Sequence, residues 1–477
     1  MTAIDRYFHI TARRSTVGRE VRGGLATFFT MAYIVVLNPL ILGGAKDVNG
    51  DQLDRVQIAA ATALVAAVMT ILMGVVGKYP FAIAAGLGLN AVVAFQLARV
   101  MSWPAAMGVV VIEGLLITLL VATGLREAVM NAVPMALKHA IAVGIGLFIA
   151  LIGFVDAGFI RRTGAGPVPV ELGIGTRLAG WPTVVFVVGL LIAIVLLTRR
   201  VRGALLITII VTTIFAIIVN AIADVPASFQ PGETPIITPT GWQLNVPELP
   251  DKVFDSPDLG LLGQFSLGGS FAKVGIISAL LFVFTLMLSD FFDTMGTVVG
   301  VGAEAELLDA DGRLPGVGPV LMVDSLAAVA GGAASVSSNT TYIESAAGVG
   351  EGARTGLASV VTGGLFLLAL FLTPLVTVVP YEAASPVLVV VGFLMMTQVR
   401  HIDWDDYDIA IPAFLAIVLM PFTYSITNGI GAGFIAYVVI KLARGRARTV
   451  SPLLFVVALL FVIYFAIDPV EQALGIK

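Results

Sequence analysis

The chain has 477 residues, 58% hydrophobic and 12% charged, with a formal net charge of −4 and a mean hydropathy of +1.00. Soluble domains are about half apolar and a quarter charged, so this is the composition of a polytopic membrane protein in a lipid bilayer. Nothing in it points to nucleic acid, the absence of cysteine excludes disulfides and thiolate metal sites, and with only His9, His139 and His401 a histidine metal cluster is not expected, so neither metal nor cofactor is expected.

Residues 1–22 are polar and basic and lack the apolar core and cleavage site of a cleaved signal, so they read as a cytoplasmic tail. Apolar segments follow at about 23–44, 57–77, 81–97, 104–124, 134–156, 180–198 and 203–224, most near the roughly 20 residues that a helix needs to cross the hydrocarbon core. The third stands apart: it is short, follows Pro80, and carries Gly86, Gly88 and Asn90. Irregular backbone at membrane depth is tolerated where it is buried or lines a cavity. Small residues also allow close helix packing, and for Gly86 the two readings weigh equally.

Residues 225–262 carry seven prolines, among them Pro231, Pro235, Pro239 and Pro250, and form a polar connection that splits the chain near its middle. Beyond it, apolar segments lie at about 271–301, 316–333, 337–348, 354–378, 382–399, 408–422, 426–443 and 452–468. Seven of them mirror the first set; the last is an extra crossing or a helix along the interface. Val133-Pro134 and Val379-Pro380 head comparable runs, and in both halves the third segment is the short one. Paired short segments point to a midplane site in an inverted-repeat transporter. An odd number of spans per half makes the second half enter from the opposite face. The expected fold is therefore an all-α polytopic membrane protein of about 14 transmembrane segments, two inverted repeats of seven, with short broken third and tenth segments.

Orientation follows from Lys and Arg in short loops. A cytoplasmic N-terminus with Arg13, Arg14, Arg19 and Arg22 also places Lys78, Arg126, Arg199, Arg200, Arg202, Arg400 and the cluster Lys441, Arg444, Arg446 and Arg448 inside. The proline-rich connection falls outside, with Arg161, Arg162 and Arg177. The run Asp403-Trp404-Asp405-Asp406-Tyr407-Asp408 reads as a solvated loop with an interfacial Trp.

The eighth segment contains Asp290 and Asp293, three apart and so on one helix face, looking into one common space. Acids at membrane depth are costly and usually mark a binding site, an ion path or a proton relay. The tenth segment, residues 334–349, is densely hydroxylic with one acid, Glu344. Its hydroxyls could equally bond back to their own backbone. Asn90, with a donor and an acceptor on one amide, joins Asp290, Asp293 and Glu344 in offering what a flat heterocycle with ring N–H and exocyclic groups needs. Glu113 and Asp324 read as residues that cap helix ends or orient the site. Thr27, Thr30, Tyr33 and Asn38 could line the cavity or simply pack.

Three stretches carry a family likeness: Gly-Leu-Gly-Leu-Asn-Ala at 86–91, Asp-Phe-Phe-Asp-Thr-Met-Gly-Thr at 290–297, and Thr-Thr-Tyr-Ile-Glu-Ser-Ala-Ala-Gly-Val at 340–349 followed by Glu-Gly-Ala-Arg-Thr-Gly at 351–356. They resemble the AzgA-like purine permeases, a branch of the nucleobase/ascorbate transporter superfamily, over nearly the whole chain. The resemblance implies a secondary active transporter, not an enzyme, importing adenine, guanine or hypoxanthine by proton symport with alternating access. It implies that Asn90, Asp290, Glu344 and Thr341 contact the purine, that Gly88 gives the backbone room near the base, and that Asp293 binds the proton. It further implies a core domain at 23–124 and 271–378, a gate domain at 125–224 and 379–444, a 225–270 extracytoplasmic loop, a 445–477 C-terminal segment, residence in the cell membrane and a homodimer through the gate domain. The alternative is an anion or sulfate carrier of the same architecture, against which three acids facing one site argue by repulsion.

Overall fold

The computed structural model describes residues 3–124, 133–162, 170–230, 236–243, 245–250, 252–309 and 314–473; Arg126, Pro231 and Pro235 lie outside them. Among the described residues ten helices are long and apolar enough to cross a membrane, and four shorter apolar helices accompany them. In chain order the first half comprises α1 (Val17–Met31), α2 (Ile34–Gly44), α3 (Arg55–Leu72), strand β1 (Ile83–Ala85), α4 (Leu87–Val92), α5 (Trp103–Ala122), α6 (Met135–Asp156), α7 (Trp181–Thr198) and α8 (Ala204–Ala223). The second half comprises α9 (Gly269–Glu304), α10 (Val317–Ala333), strand β2 (Asn339–Thr341), α11 (Ser345–Gly350), α12 (Gly356–Ala369), α13 (Tyr381–Met396), α14 (Tyr407–Phe422), α15 (Ile426–Ala443) and α16 (Pro452–Ala473).

Local chemistry sets many of the helix starts. Thr16, Asp54 and Ser425 each sit in extended backbone and accept a hydrogen bond from the N–H three residues on, which satisfies one orphan donor at the helix start. Trp103-Pro104 and Trp181-Pro182 open α5 and α7 with proline in the first turn, where its missing N–H costs nothing. Within α9 the helix is broken at Gly275 (φ 77°, ψ 164°), a conformation open to glycine at no steric cost. The two expected broken segments are short strands followed by short helices. Around 407–443 the chain forms two helices, α14 and α15, divided by a turn at 423–425.

The tightest helix pairings fall into two sets. In one, α12 packs on α1 and α3, and α5 packs on α9 and α10; in the other, α6 packs on α13 and α14, α14 on α15, and α7 on α8 and α13. Close packing in lipid relies on small residues, and Gly146 and Gly392 bring the backbones of α6 and α13 against each other. The sets meet where Gln96 Oε1 accepts from Thr427 N (3.1 Å), Thr427 Oγ1 (2.8 Å) and Ser425 Oγ (3.2 Å), and where Tyr381 donates to Leu40 O at 3.3 Å. Arg202, before α8, also pairs with Glu351, after α11. The final helix α16 packs along α15, with Phe461 against Phe434 at 6.3 Å between ring centroids.

One residue departs from the solvated-loop expectation. Asp408 begins the buried face of α14, fully inaccessible, and is held by Lys441 (2.9 Å), Arg444 (2.7 Å) and Arg446 (3.1 Å) from the end of α15 and the turn beyond. A charge removed from water needs partners, and the basic cluster expected at the cytoplasmic face supplies them.

Candidate functional site

The site is built around the two short strands. β1 and β2 run antiparallel, with Ile83 opposite Thr341, Ala84 opposite Thr340 and Ala85 opposite Asn339. The ribbon is extended by Gly86 N donating to Ser338 O (3.0 Å) and Tyr342 N donating to Ala82 O (2.8 Å). Two strands in mutual register satisfy one another's backbone groups in the packed interior, which permits non-helical chain there. The Tyr342 hydroxyl adds a bond to Ala85 O at 2.5 Å.

A buried side-chain network fixes the ribbon in place. Asp324 on α10 accepts from Thr341 N (3.0 Å) and Thr341 Oγ1 (2.8 Å) through one oxygen, and from Thr294 Oγ1 (2.7 Å) on α9 through the other. Thr294 lies 2.8 Å from Thr340 Oγ1. A hydroxyl has one proton, so with the Thr294 proton on Asp324, Thr340 is the donor to Thr294. Nearby, Ser338 donates to Glu113 Oε2 at 3.2 Å, and Asn38 donates to Thr62 Oγ1 (2.8 Å) and Val336 O (3.2 Å). Glu113 and Asp324 thus hold the two ends of the β2 stretch.

From this frame the expected residues project as follows. Asn90 lies in the first turns of α4, 0% exposed, and among the described residues neither its amide nitrogen nor its amide oxygen has a hydrogen-bond partner. A buried amide with both ends unsatisfied is costly, and that cost disappears when a polar solute supplies the bonds. Gly88 is partly exposed and faces α6: a Cβ there would stand 2.9 Å from Ile145 Cγ2. Glu344 immediately precedes α11, half-buried, with Oε1 accepting from Tyr33 Oη at 2.5 Å. Asp293 on α9 is accessible and lies within electrostatic reach of Glu344 and Asp324.

The two acids of α9 do not share one environment. Asp290 is 0% exposed while Asp293 is open; the three-residue step of about 60° around the helix carries one into the packing and the other to the accessible side. Thr341 stands at the ribbon with its hydroxyl committed to Asp324. Two participants do more than the sequence assigned them. Thr294 had only its place between Asp293 and the glycine as a signal, and Tyr33 was one of several polar residues on the first span.

Comparison with known proteins adds family and fold. The model of the Permease family, Xan_ur_permease, matches residues 18–432. The chain is 36% identical to the guanine/hypoxanthine permease PbuG of Bacillus subtilis, over 96% of this chain and 98% of that one. It is 36% identical to the adenine permease AdeP of Escherichia coli, over 96% and 95% respectively. Among solved structures, the transmembrane domain of a cyanobacterium bicarbonate transporter, BicA, has the same general fold, with a TM-score of 0.57 at 14% identity over 87% of this chain and 96% of that one.

Proposed function

The chain belongs to the Permease family, and on that premise we propose that it carries purine nucleobases, adenine, guanine or hypoxanthine, into the cell by proton symport with alternating access. It is a multi-pass membrane transporter and not an enzyme. The observation that carries the substrate reading is the buried, unsatisfied Asn90 amide on the short helix that follows β1, while the Glu344 carboxylate follows β2, the strand paired with it. Flat bases present ring N–H and exocyclic groups along one edge, and an amide plus a carboxylate is a donor and acceptor set for such an edge. Relatives named as guanine/hypoxanthine and adenine permeases support this class. The bicarbonate transporter's substrate does not carry over with its fold, because Asp293 and Glu344 would repel an anion.

In this reading Asn90, Asp290, Glu344, Thr341 and Gly88 form the purine site, and Asp293 exchanges the transported proton. Asp293 is suited to the task by being accessible while close to Glu344. A proton on Asp293 removes the charge that opposes an ionised Glu344, and a base donating to Glu344 favours that ionised form, so each ligand favours the other. The fold is read as fourteen segments in two inverted sevens, supported by the antiparallel pairing of the two short strands at matching places in each half. The two packing sets are read as a core domain at 23–124 and 271–378 and a gate domain at 125–224 and 379–444. The N-terminus is assigned to the cytoplasm, the protein to the cell membrane, and a homodimer to the gate domain. Equilibrium binding of labelled adenine, guanine and hypoxanthine to the purified protein tests the substrate class: saturable binding displaced by unlabelled purine and not by sulfate or bicarbonate is expected, and displacement by the anions alone would reverse the reading.

A further inference from the structure

We propose that Tyr33 is a positioning residue for Glu344, holding that carboxylate in the pose from which it accepts a hydrogen bond from the transported base. The proposal rests on the reading of Glu344 as a purine acceptor. Tyr33 occupies the junction between α1 and α2, is 1% exposed, and its hydroxyl donates to Glu344 Oε1 at 2.5 Å.

The destination of the Tyr33 proton separates this residue from ordinary packing tyrosines. Tyr7, Tyr79, Tyr342 and Tyr381 each donate to a backbone carbonyl, of Val75, Pro315, Ala85 and Leu40 respectively. Tyr33 donates to an ionisable side chain of the site itself. A free glutamate side chain turns about three bonds, and ordering it on binding would weaken affinity. A phenol is rigid and buried, so a bond from it orders the carboxylate before the base arrives. With Oε1 committed to Tyr33, an incoming N–H meets Oε2, in a direction set by α1 and α11 together. The contact also joins the first span to the short helix after β2, so the acceptor's aim depends on both.

The test uses full-length protein in proteoliposomes, with labelled purine, and measures KM, maximal rate and the melting temperature without purine. Tyr33→Phe removes only the hydroxyl. Loss of one hydrogen bond to a charged group corresponds to about a tenfold rise in KM, with maximal rate and purine-free melting nearly unchanged. Glu344→Asp withdraws the carboxylate from the phenol, so in that background Tyr33→Phe should add little further loss, whereas independent packing effects would add. Tyr33→His, which keeps a ring-borne donor, should recover part of the affinity. An unchanged KM in Tyr33→Phe, additive losses with Glu344→Asp, a lowered melting temperature without a KM effect, or failure of both Tyr33 variants to accumulate in the membrane overturns the proposal and assigns the residue to packing. If the parent protein binds no purine, the functional reading itself fails; if the parent binds and Tyr33→Phe binds as well, only the positioning role fails.

Discussion

Thr341 gives both of its protons to one oxygen of Asp324, the backbone N–H at 3.0 Å and the hydroxyl at 2.8 Å. The strand that opens the second broken segment is therefore pinned to α10 at the residue where it pairs with Ile83 of the first. Thr341→Val keeps the shape and removes one of the two bonds inside the packed interior. A lost bond to a buried charged acceptor costs about 1–3 kcal/mol, and Asp324→Ala, which orphans three donors at once, should cost more. Melting in detergent checks both, and Asp324→Ala melting like the parent would contradict the pinning.

Glu344→Gln replaces a carboxylate oxygen with an amide that donates. An NH2 group facing the base sets donor against donor; facing Tyr33 it can donate to the phenol oxygen, but the phenol proton then loses its carboxylate and the base keeps only a neutral acceptor. Purine binding is expected to vanish in an equilibrium assay while the protein still accumulates in the membrane. Retained affinity would remove Glu344 from the site.

Gly88 stands where the half-helix bearing Asn90 faces the other packing set. Gly88→Ala brings a methyl to within 2.9 Å of Ile145 Cγ2, closer than carbon atoms rest without a shift. Uptake should slow several-fold, roughly the effect of 1 kcal/mol of crowding, and Ile145→Ala in the same chain should restore part of the rate. No rescue would place the role of Gly88 elsewhere.

Gln96 Oε1 receives three hydrogen bonds from the turn that opens α15. Gln96→Leu keeps the bulk but leaves the buried Thr427 N–H without its acceptor, an expected loss of about 1–3 kcal/mol. A purified variant with an unchanged melting temperature would mean that the turn finds another acceptor.

Much of this organisation can be read from residue order, for reasons that differ between elements. Apolar runs of membrane length announce α3, α5 and α6 directly, since the bilayer demands that length. Prolines and glycines around 80–88 mark broken backbone but do not say that the break is a strand, because the partner of β1 lies more than 250 residues away. Helical spacing put Asp290 and Asp293 on one face. It could not separate an open position from a closed one about 60° around the helix, because tertiary packing on α9, that of α5 included, decides that. Asp408 misled for a related reason: in a run of four aspartates it looks solvated, and only the return of α15 brings Lys441, Arg444 and Arg446 to it. The Tyr33–Glu344 bond is equally non-local, and nothing near Tyr33 in sequence distinguishes it from a packing ring.

Proton-driven purine uptake is the central claim, and Asp293 is its sharpest point. Asp293 lies near a second acid, Glu344, and of the two acids on α9 it is the exposed one. The decisive measurement is uptake of labelled purine by proteoliposomes holding parent or Asp293→Asn protein, with and without an imposed inward proton gradient. The parent should concentrate purine only with the gradient and lose it when a protonophore collapses the gradient, while Asp293→Asn should bind purine yet equilibrate without concentrating it. Gradient-driven accumulation by Asp293→Asn, or parent uptake indifferent to the gradient, would contradict the account.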